Sequence, residues 1–534
     1  MKKVVLMADL REMTTAILAD EQRLLQGGGK AGQDRQRKLG RLPVRERLQV
    51  LLDADRPFLE IGLWSAYQMY PEWGDVPAAG VVAGIGWVSG RPCVIAANDA
   101  TVKAGAMFPQ SVKKMIRAQK MAHRLRLPAI YLMDSAGAFL PLQDEVFPDE
   151  DDFGRIFRHN SVMSADGIPQ IAAVMGNCIA GGAYLPVLCD KIVMTEGSQL
   201  CLAGAALVKA AIGQVVDPEE VGGAAMHSKI SGTVDFHEPN DTACLQRVRS
   251  LVALLPELPA ERSGPDPARP ADDLYSLISA DGTGEYDVRD LLNCIVDAGS
   301  LEEFRPDYGK TLVTAYARIQ GNPVGLVANQ RQRCKTSKGE IQIGGVMYAD
   351  ASEKAARFVF DCDQNRIPLV FIQDVQGFMV GKQSEQAGII RSGALLVRAM
   401  SVATVPKFTV VVGSSYGAGN YAMCGRAYDP AIILAWPNAR MAVMGGNQAA
   451  DTLLTLRLRD AEKSGKPMSP EQINELRDTI RQQYQEHTEV RHAASRGWVD
   501  AIIPPDHTRR WLAAALSVCT PELLSRARYQ AREV

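Results

Sequence analysis

Two glycine-rich turns are the residues of this chain best suited to chemistry. Cys178-Ile179-Ala180-Gly181-Gly182-Ala183 follows an apolar run from Ile168-Pro169 to Met175-Gly176. Tyr416-Gly417-Ala418-Gly419-Asn420 follows a similar run from Val405-Pro406 to Val412-Gly413. A turn that ends a buried strand and opens a helix presents backbone N–H groups with no intrahelical partner. Aimed at a carbonyl oxygen, such donors form an oxyanion hole, each worth about 2.7–4 kcal/mol of transition-state stabilisation. Gly181, Gly182, Ala418 and Gly419 are the expected catalytic positions, because small side chains let a substrate carbonyl reach the backbone. Small residues also permit close helix–sheet packing, and one such turn alone would not decide between the two uses.

The chain repeats itself, and the repeat favours chemistry. Arg126-Leu127-Pro128 through Asp134 and Gly137 returns as Arg366-Ile367-Pro368 through Asp374 and Gly377, an offset of 240 residues. The Ile168-Pro169 run returns at Val405-Pro406, an offset of 237. Gly90-Arg91-Pro92 and Asn98 return as Gly321-Asn322-Pro323 and Asn329, an offset of 231. Both copies keep the turn while the surrounding side chains diverge. Two sites of one kind suit a reaction that passes a group between two acceptors.

The elements that must hold these turns follow from pattern. Residues 8–55 read as helices broken at Gly27-Gly28-Gly29 and restarted at Leu42-Pro43. Ala79 to Ala97 reads as strands, Val112 to Leu125 as a helix and Ala129 to Met133 as a buried strand. The same order recurs from about 310 to 445, then a charged helical stretch over 451–490 and a helical tail from 508. Strands alternating with helices predict an α/β fold. At 534 residues two domains are expected, divided as 1–260 and 285–534, with the Pro- and Gly-rich segment 252–285 as the linker.

Composition removes several function classes. The chain is 46% hydrophobic and 22% charged, with a net charge of −2, which gives no reason to propose nucleic acid or an anionic membrane as partner. No run approaches the roughly 20 apolar residues of a membrane helix. Asp9, Arg11 and Glu12 interrupt the N-terminal apolar stretch too early for an export signal. The ten cysteines are never closer than 11 residues, so a local zinc motif is absent and a reducing, cytoplasmic setting is expected. No phosphate-binding GxxxxGK[ST] occurs, and the acidic run from Asp144 to Asp152 matches no metal loop; no metal is expected. Lys113, Arg117 and Lys120 share a helix face, a solvated face in most chains and a phosphate contact in some. Gly413-Ser414-Ser415-Tyr416-Gly417 satisfies the G-x-S-x-G pattern of a hydrolase elbow. The first copy has no matching serine, so the hydroxyl of Ser415 is expected to be idle.

Several longer stretches carry a family resemblance. They are Asn98 to Ala106, Asp134-Ser135-Ala136-Gly137-Ala138-Phe139-Leu140-Pro141, Val146-Phe147-Pro148-Asp149, Phe153-Gly154-Arg155, Cys178 to Tyr184 and Leu202-Ala203-Gly204. The second half adds Gly377 to Gly381, Ser415 to Tyr421, Met423 to Tyr428 and Trp436-Pro437-Asn438-Ala439. Together they resemble the carboxyltransferase β subunits of biotin-dependent acyl-CoA carboxylases over about 35–510, most of all the methylcrotonyl-CoA and geranyl-CoA branch. The resemblance implies duplicated crotonase-type β-β-α superhelix domains. It also implies a homohexamer within an α6β6 complex, with each active site between the N-domain of one subunit and the C-domain of another. Gly181-Gly182 would hold the thioester oxygen of the acyl-CoA, and Ala418-Gly419 the ureido oxygen of carboxybiotin. Substrate contacts would extend to Lys103, Ala136, Gly137, Ala138, Ala203, Gly204, Tyr416, Gly417, Gly445 and Gly446. No Ala-Met-Lys-Met occurs, so biotin would be carried by a separate biotin-carboxylase and carrier α subunit.

The departures bear on substrate. The family's DSGGA reads Asp134-Ser135-Ala136-Gly137-Ala138 here, and Leu202 to Val216 lacks two prolines, a threonine and two acids of the family segment. Gln330 to Gly345 is longer and more basic, and resembles the related glutaconyl-CoA decarboxylase subunits. A 3-methylcrotonyl-CoA-like enoyl-CoA is favoured. Geranyl-, propionyl- and acetyl-CoA, and a decarboxylase subunit using the same two holes, stay open.

Overall fold

The computed structural model describes residues 9–256, 262–336, 339–464, 468–519 and 523. The chain divides into two compact units. One comprises Leu18–Ala260 with Ala494–Ala501, the other Met1–Ile17, Glu261–Ala493 and Ile502–Val534.

In the first unit the sheet runs Leu59–Ile61, Val81–Val88, Arg91–Asn98, Ala129–Ser135, Gln170–Ile179, Lys191–Thr195, Phe236–Glu238, with Gln199–Cys201 also beside Gln170–Ile179. It opens with a hairpin pairing Val88 with Arg91. Ser89 and Gly90 both take positive φ, 50° and 77°, the two-residue turn that matches strand twist. The Asp53 carboxylate accepts from both turn amides, at 3.1 and 2.7 Å. The helix Pro109–Leu125 follows, started by proline at its first position and stopped by Arg126 in the left-handed region. The next strands are parallel.

The second unit repeats the plan. Its hairpin Leu312–Ile319 and Asn322–Asn329 turns through Gln320 and Gly321, again at positive φ. Asp297 takes the role of Asp53, accepting from both turn amides at 2.8 Å. The helix Ala349–Gln364 leads to the parallel strands Leu369–Val375, Lys407–Tyr416 and Ile432–Ala435. Each unit has its own core: Ile95, Ile130, Leu132 and Ala173 among others in the first, Val327, Phe358, Phe371 and Leu396 in the second.

Several segments take places that pattern alone does not show. The segment 252–285 is not a free linker. From residue 262 it packs against the second unit, where Ala298 donates to the Asp266 carbonyl and Arg269 donates to that of Asn293, both at 3.1 Å. Arg509 donates to the Pro265 carbonyl at 2.9 Å and to Asp297 at 2.8 Å, which holds this segment to the second unit. The units are not continuous in sequence, and the chain passes from one to the other after Ala260. Residues 494–501 belong with the first unit, where Asp500 is forked by Arg117 at 2.9 and 2.6 Å. That buried pair also removes Arg117 from the suggested phosphate-binding face. Residues up to Ile17 belong with the second unit, where Arg11 donates to Asp272 at 2.6 Å and lies over the Tyr275 ring. The charged stretch is two helices, Gly446–Lys463 and Pro470–Thr488. The tail helix is Thr508–Ser517, and the chain beyond residue 519 lies outside the described residues apart from residue 523. Among the described residues no helix is long and apolar enough to cross a membrane.

Candidate active site

The first turn grows from the longest strand of its unit. Gln170–Ile179 is buried along its inner length, and the chain leaves it through Ala180 at φ 59° into the short helical turn Ala180–Ala183. As the opening residues of that turn, Gly181 and Gly182 have amides with no intrahelical partner. Gly181 is exposed, and a Cβ on it would meet nothing within 4 Å. Gly182 is buried, 4.0 Å (from an ideal Cβ) from the Cα of Gly137. Gly137 needs its glycine, since its φ is 89°.

The other expected first-unit positions gather around this point. Lys103, Ala104 and Gly105 form three consecutive left-handed residues, with φ of 46°, 55° and 71°. The Ala104 carbonyl accepts from the amide of Ala136 at 3.2 Å, and the Gly105 carbonyl accepts from the Ser135 hydroxyl at 2.7 Å. Met107 brackets the turn, donating to the Gly137 carbonyl and bridging to Ala138. Lys103 and Ala136 are exposed and Ala138 is half-buried. Ala203 and Gly204 follow Gln199–Cys201, and a Cβ on Gly204 would lie 3.9 Å from the Ile179 side chain. Thus a backbone ladder ties 104 to 136, close approach ties 137 to 182, and packing ties 179 to 204.

The second turn repeats this backbone with different residues. Gly417, at φ 55° and ψ −143°, links Lys407–Tyr416 to the five-residue helix Ala418–Ala422. Its amide donates to the Ala442 carbonyl at 2.9 Å. Ala418 is exposed and Gly419 is buried. A Cβ on Gly419 would lie 2.6 Å from Val375 Cγ2 and 3.3 Å from the Cα of Gly377, the counterpart of Gly137. Tyr416 pairs with Ala442 in register, and burial pushes its phenol up from the ordinary value. Gly445 and Gly446 come soon after that strand, at the start of Gly446–Lys463. The Tyr484 hydroxyl donates to the Met444 carbonyl at 2.6 Å and fixes the approach to them.

Sequence reasoning missed the groups beneath each turn. The strand that ends at each turn bulges, Met175–Asn177 opposite Asp134 in one unit and Val412–Ser414 opposite Asp374 in the other, a device that bends the strand next to a site. Each carboxylate folds over a glycine of that bulge: a Cβ on Gly176 would be 2.0 Å from Asp134 Oδ1, and one on Gly413 would be 2.5 Å from the Asp374 carboxylate. Asp134 is held by Arg47 at 3.2 Å and Asp374 by Arg331 at 3.3 Å. Burial pushes both carboxyls up, and the arginines oppose it. Asn98 and Asn329 accept from the amides of Asp134 and Asp374 and donate to the sulfurs of Met107 and Met347. The repeat already pairs Asp134 with Asp374 and Asn98 with Asn329; their partners Arg47 and Arg331 come from unrelated positions, and no spacing marks them.

Ser415 is not idle. It is buried, donates to Gln373 Oε1 at 2.7 Å and accepts from Asn420 Nδ2 at 2.8 Å. No histidine is among its hydrogen-bond partners, and the elbow pattern marks a structural serine. The acidic loop pairs with Arg155 and Lys120. Burial pushes the Cys178 thiol beside the first turn up to about 12, so it is neutral at ordinary pH.

Against known proteins, the carboxyl transferase domain family matches residues 35–531. A biotin-dependent 3-methylcrotonyl-coenzyme A carboxylase beta1 subunit of Mycobacterium tuberculosis is 45% identical over 94% of this chain and 93% of its own length. The mitochondrial methylcrotonoyl-CoA carboxylase beta chain of Arabidopsis thaliana is 40% identical over 95% and 86%. The crystal structure of the geranyl-CoA carboxylase beta subunit of Pseudomonas aeruginosa (P. aeruginosa) superposes with a TM-score of 0.85, at 33% identity, covering 100% of this chain and 98% of that one. The duplicated crotonase-like architecture expected from sequence is the one observed. The chain belongs to the carboxyl transferase domain family, as a carboxyltransferase of the β-subunit type found in biotin-dependent acyl-CoA carboxylases.

Proposed function

We propose that this chain transfers a carboxyl group from carboxybiotin, carried by a partner α subunit, to a 3-methylcrotonyl-CoA-like enoyl-CoA. The observation that carries the reading is the matched pair of turns, Gly181–Gly182 against Gly137 and Ala418–Gly419 against Gly377. The amides of Gly181 and Gly182 hold the thioester oxygen as negative charge develops on it. Those of Ala418 and Gly419 hold the ureido oxygen of biotin. Carboxybiotin supplies the carboxyl group and, once that is released, a basic nitrogen for the substrate proton. This accounts for a site built from backbone donors, where positioning and electrostatic preorganisation supply the catalysis. Lys103, exposed on its left-handed turn, is placed to meet a phosphate of coenzyme A. The likeness to a geranyl-CoA carboxylase β subunit over the full chain favours a longer branched enoyl-CoA as the second reading.

Purified alone, the chain should bind acyl-CoA and fix no bicarbonate; ATP-dependent carboxylation without a biotinylated partner would overturn the proposal. With the partner present, a panel of acyl-CoAs separates the substrate readings. Gly182→Val should impair acyl-CoA turnover, and Ala418→Val should impair use of carboxybiotin, each by on the order of 10²–10³ in rate. We propose assembly as a homohexamer within an α6β6 complex, with each site shared between subunits. Chains carrying either substitution should then regain activity when co-assembled. No recovery would argue against shared sites.

A further inference from the structure

We infer that Gln373, Ser415 and Asn420 form a directional brace that aims the amides of Ala418 and Gly419, a device the acyl-CoA-side turn lacks. The inference rests on the reading of Ala418–Gly419 as the carboxybiotin-side turn. Gln373 Nε2 donates to the Met423 carbonyl at 2.6 Å, Ser415 Oγ donates to Gln373 Oε1 at 2.7 Å, and Asn420 Nδ2 donates to Ser415 Oγ at 2.8 Å. A carbonyl can only accept, so the Met423 oxygen fixes which end of the Gln373 amide faces it. Gln373 then presents its oxygen to Ser415, whose proton is committed there, and the remaining lone pair of Ser415 takes the Asn420 donor. Every hydrogen bond has one permitted direction.

The brace grips the short helix at its middle and at its C-terminus. Asn420 is its third residue, Met423 caps its C-terminus, and the amide of Gly425 donates to the Asn420 carbonyl at 2.8 Å. Five residues cannot sustain a helix by themselves, so the direction of the Ala418 and Gly419 amides is set by what the helix is tied to. Gln373 and Ser415 belong to adjacent parallel strands of the buried sheet. The chain of bonds thus transmits the position of the sheet to the turn.

The first copy shows that the fold does not require this device. The positions equivalent to Gln373, Ser415 and Asn420 are Met133, Cys178 and Ala183, all buried. Only the Cys178 thiol keeps a bond to its turn, donating to the Gly182 carbonyl at 3.3 Å. All three positions change character together, as expected of groups that act as one unit. A donor that arrives on a partner subunit gains from a site already set, while an acyl-CoA-side turn can adapt to its ligand.

The test replaces the brace with the set from the other copy: Gln373→Met, Ser415→Cys and Asn420→Ala together, in the complex with the biotinylated partner. Transfer from partner subunit loaded with carboxybiotin to 3-methylcrotonyl-CoA is followed in a single turnover. Binding of 3-methylcrotonyl-CoA is measured separately by calorimetry. The triple variant should fold, bind the CoA ester like the native chain and transfer about ten- to a hundred-fold more slowly. Asn420→Asp keeps the shape and loses the donor, so it should show the same split should the triple variant fail to fold. Native transfer rates in the folded brace variants, or losses shared equally with CoA-ester binding, would overturn the brace. Ala418→Val separates the two levels of the argument. Slow transfer there with native rates in the brace variants sinks the brace alone. Native rates in Ala418→Val sink the reading of the turn, and the brace with it.

Discussion

The two turns have one backbone and two kinds of surroundings. Both leave a long parallel strand through a residue of positive φ, Ala180 at 59° and Gly417 at 55°. The first accepts an alanine in a conformation that costs an L-residue about 1–2 kcal/mol, and it leaves open space beside Gly181. The second uses glycine there, crowds Gly419 against Val375 and Gly377, and ties its helix to the sheet by side chains. Duplication preserved the positive-φ exit from the strand and left the means of holding the turn free to change. The lesson is that one exit from a strand can be held in two ways, by open packing in the first copy and by side chains tied to the sheet in the second.

The comparison is most severely tested where the copies agree. Gly176→Ala and Gly413→Ala would each drive a methyl group into a buried aspartate, at 2.0 and 2.5 Å. Each should destabilise its unit by more than about 4 kcal/mol, read as loss of soluble protein or of the thermal transition. A mild effect at one position only would show that the two aspartates are not equivalent. A smaller effect is expected where the copies differ. Gly419→Ala meets a fully buried, β-branched Val375 and should cut transfer by on the order of 10²–10³. Gly182→Ala, at 4.0 Å from its nearest neighbour, should cost about tenfold or less. Equal losses in steady-state rate would mean that the second turn is no tighter than the first.

The smallest effect concerns the buried lysines at equivalent positions. Lys114 Nζ donates to the carbonyls of Gly62, Ala78 and Val81, while Lys354 donates to that of Arg305 at 3.4 Å. Burial pulls Lys114 down to about 7 and Lys354 to about 8. The folded chain then binds fewer protons than the unfolded chain between those values and about 10.5, so this contribution to stability rises with pH across that window. Lys114→Met should flatten the rise in thermal midpoint that begins near pH 7 and should lower the midpoint more than Lys354→Met, because three carbonyls lose their donor. An unchanged pH profile in Lys114→Met would remove the lysine from this account.

Much of this fold was legible because the repeat and the strand–helix alternation are local patterns. The hairpin at Gly90, the helix ending before Pro128 and the turns themselves could be read from spacing alone. The packing of the segment from residue 262 was not legible because prolines and glycines look alike in a linker and in a segment held through Arg509 to Asp297. Arg117 was misread because helix spacing cannot reveal a partner as distant in sequence as Asp500. The turn residues were legible because only small residues suit them. Their supports were not: Asp134, Asp374 and the hydrogen bonds of Ser415 depend on which strands become neighbours. Ser415 drew a false pattern for the same reason, since its meaning lies in Gln373 across the sheet.

The Asn–Met contacts have a consequence for how such a chain can grow. From Asn98 to Met107 the chain takes nine steps, and from Asn329 to Met347 it takes eighteen. The same contact nevertheless closes both spans, at 3.5 and 3.6 Å. Doubling a closed loop costs only about 0.6 kcal/mol in chain entropy, so length added between the two anchors is nearly free and exerts little leverage on what lies outside them. The asparagine and the methionine work as a clasp. In the longer span, between Arg331 and Met347, a recognition hairpin or a reporter tag can be threaded while the strands around it keep their registration; the shorter span carries Lys103–Gly105 and has no such room.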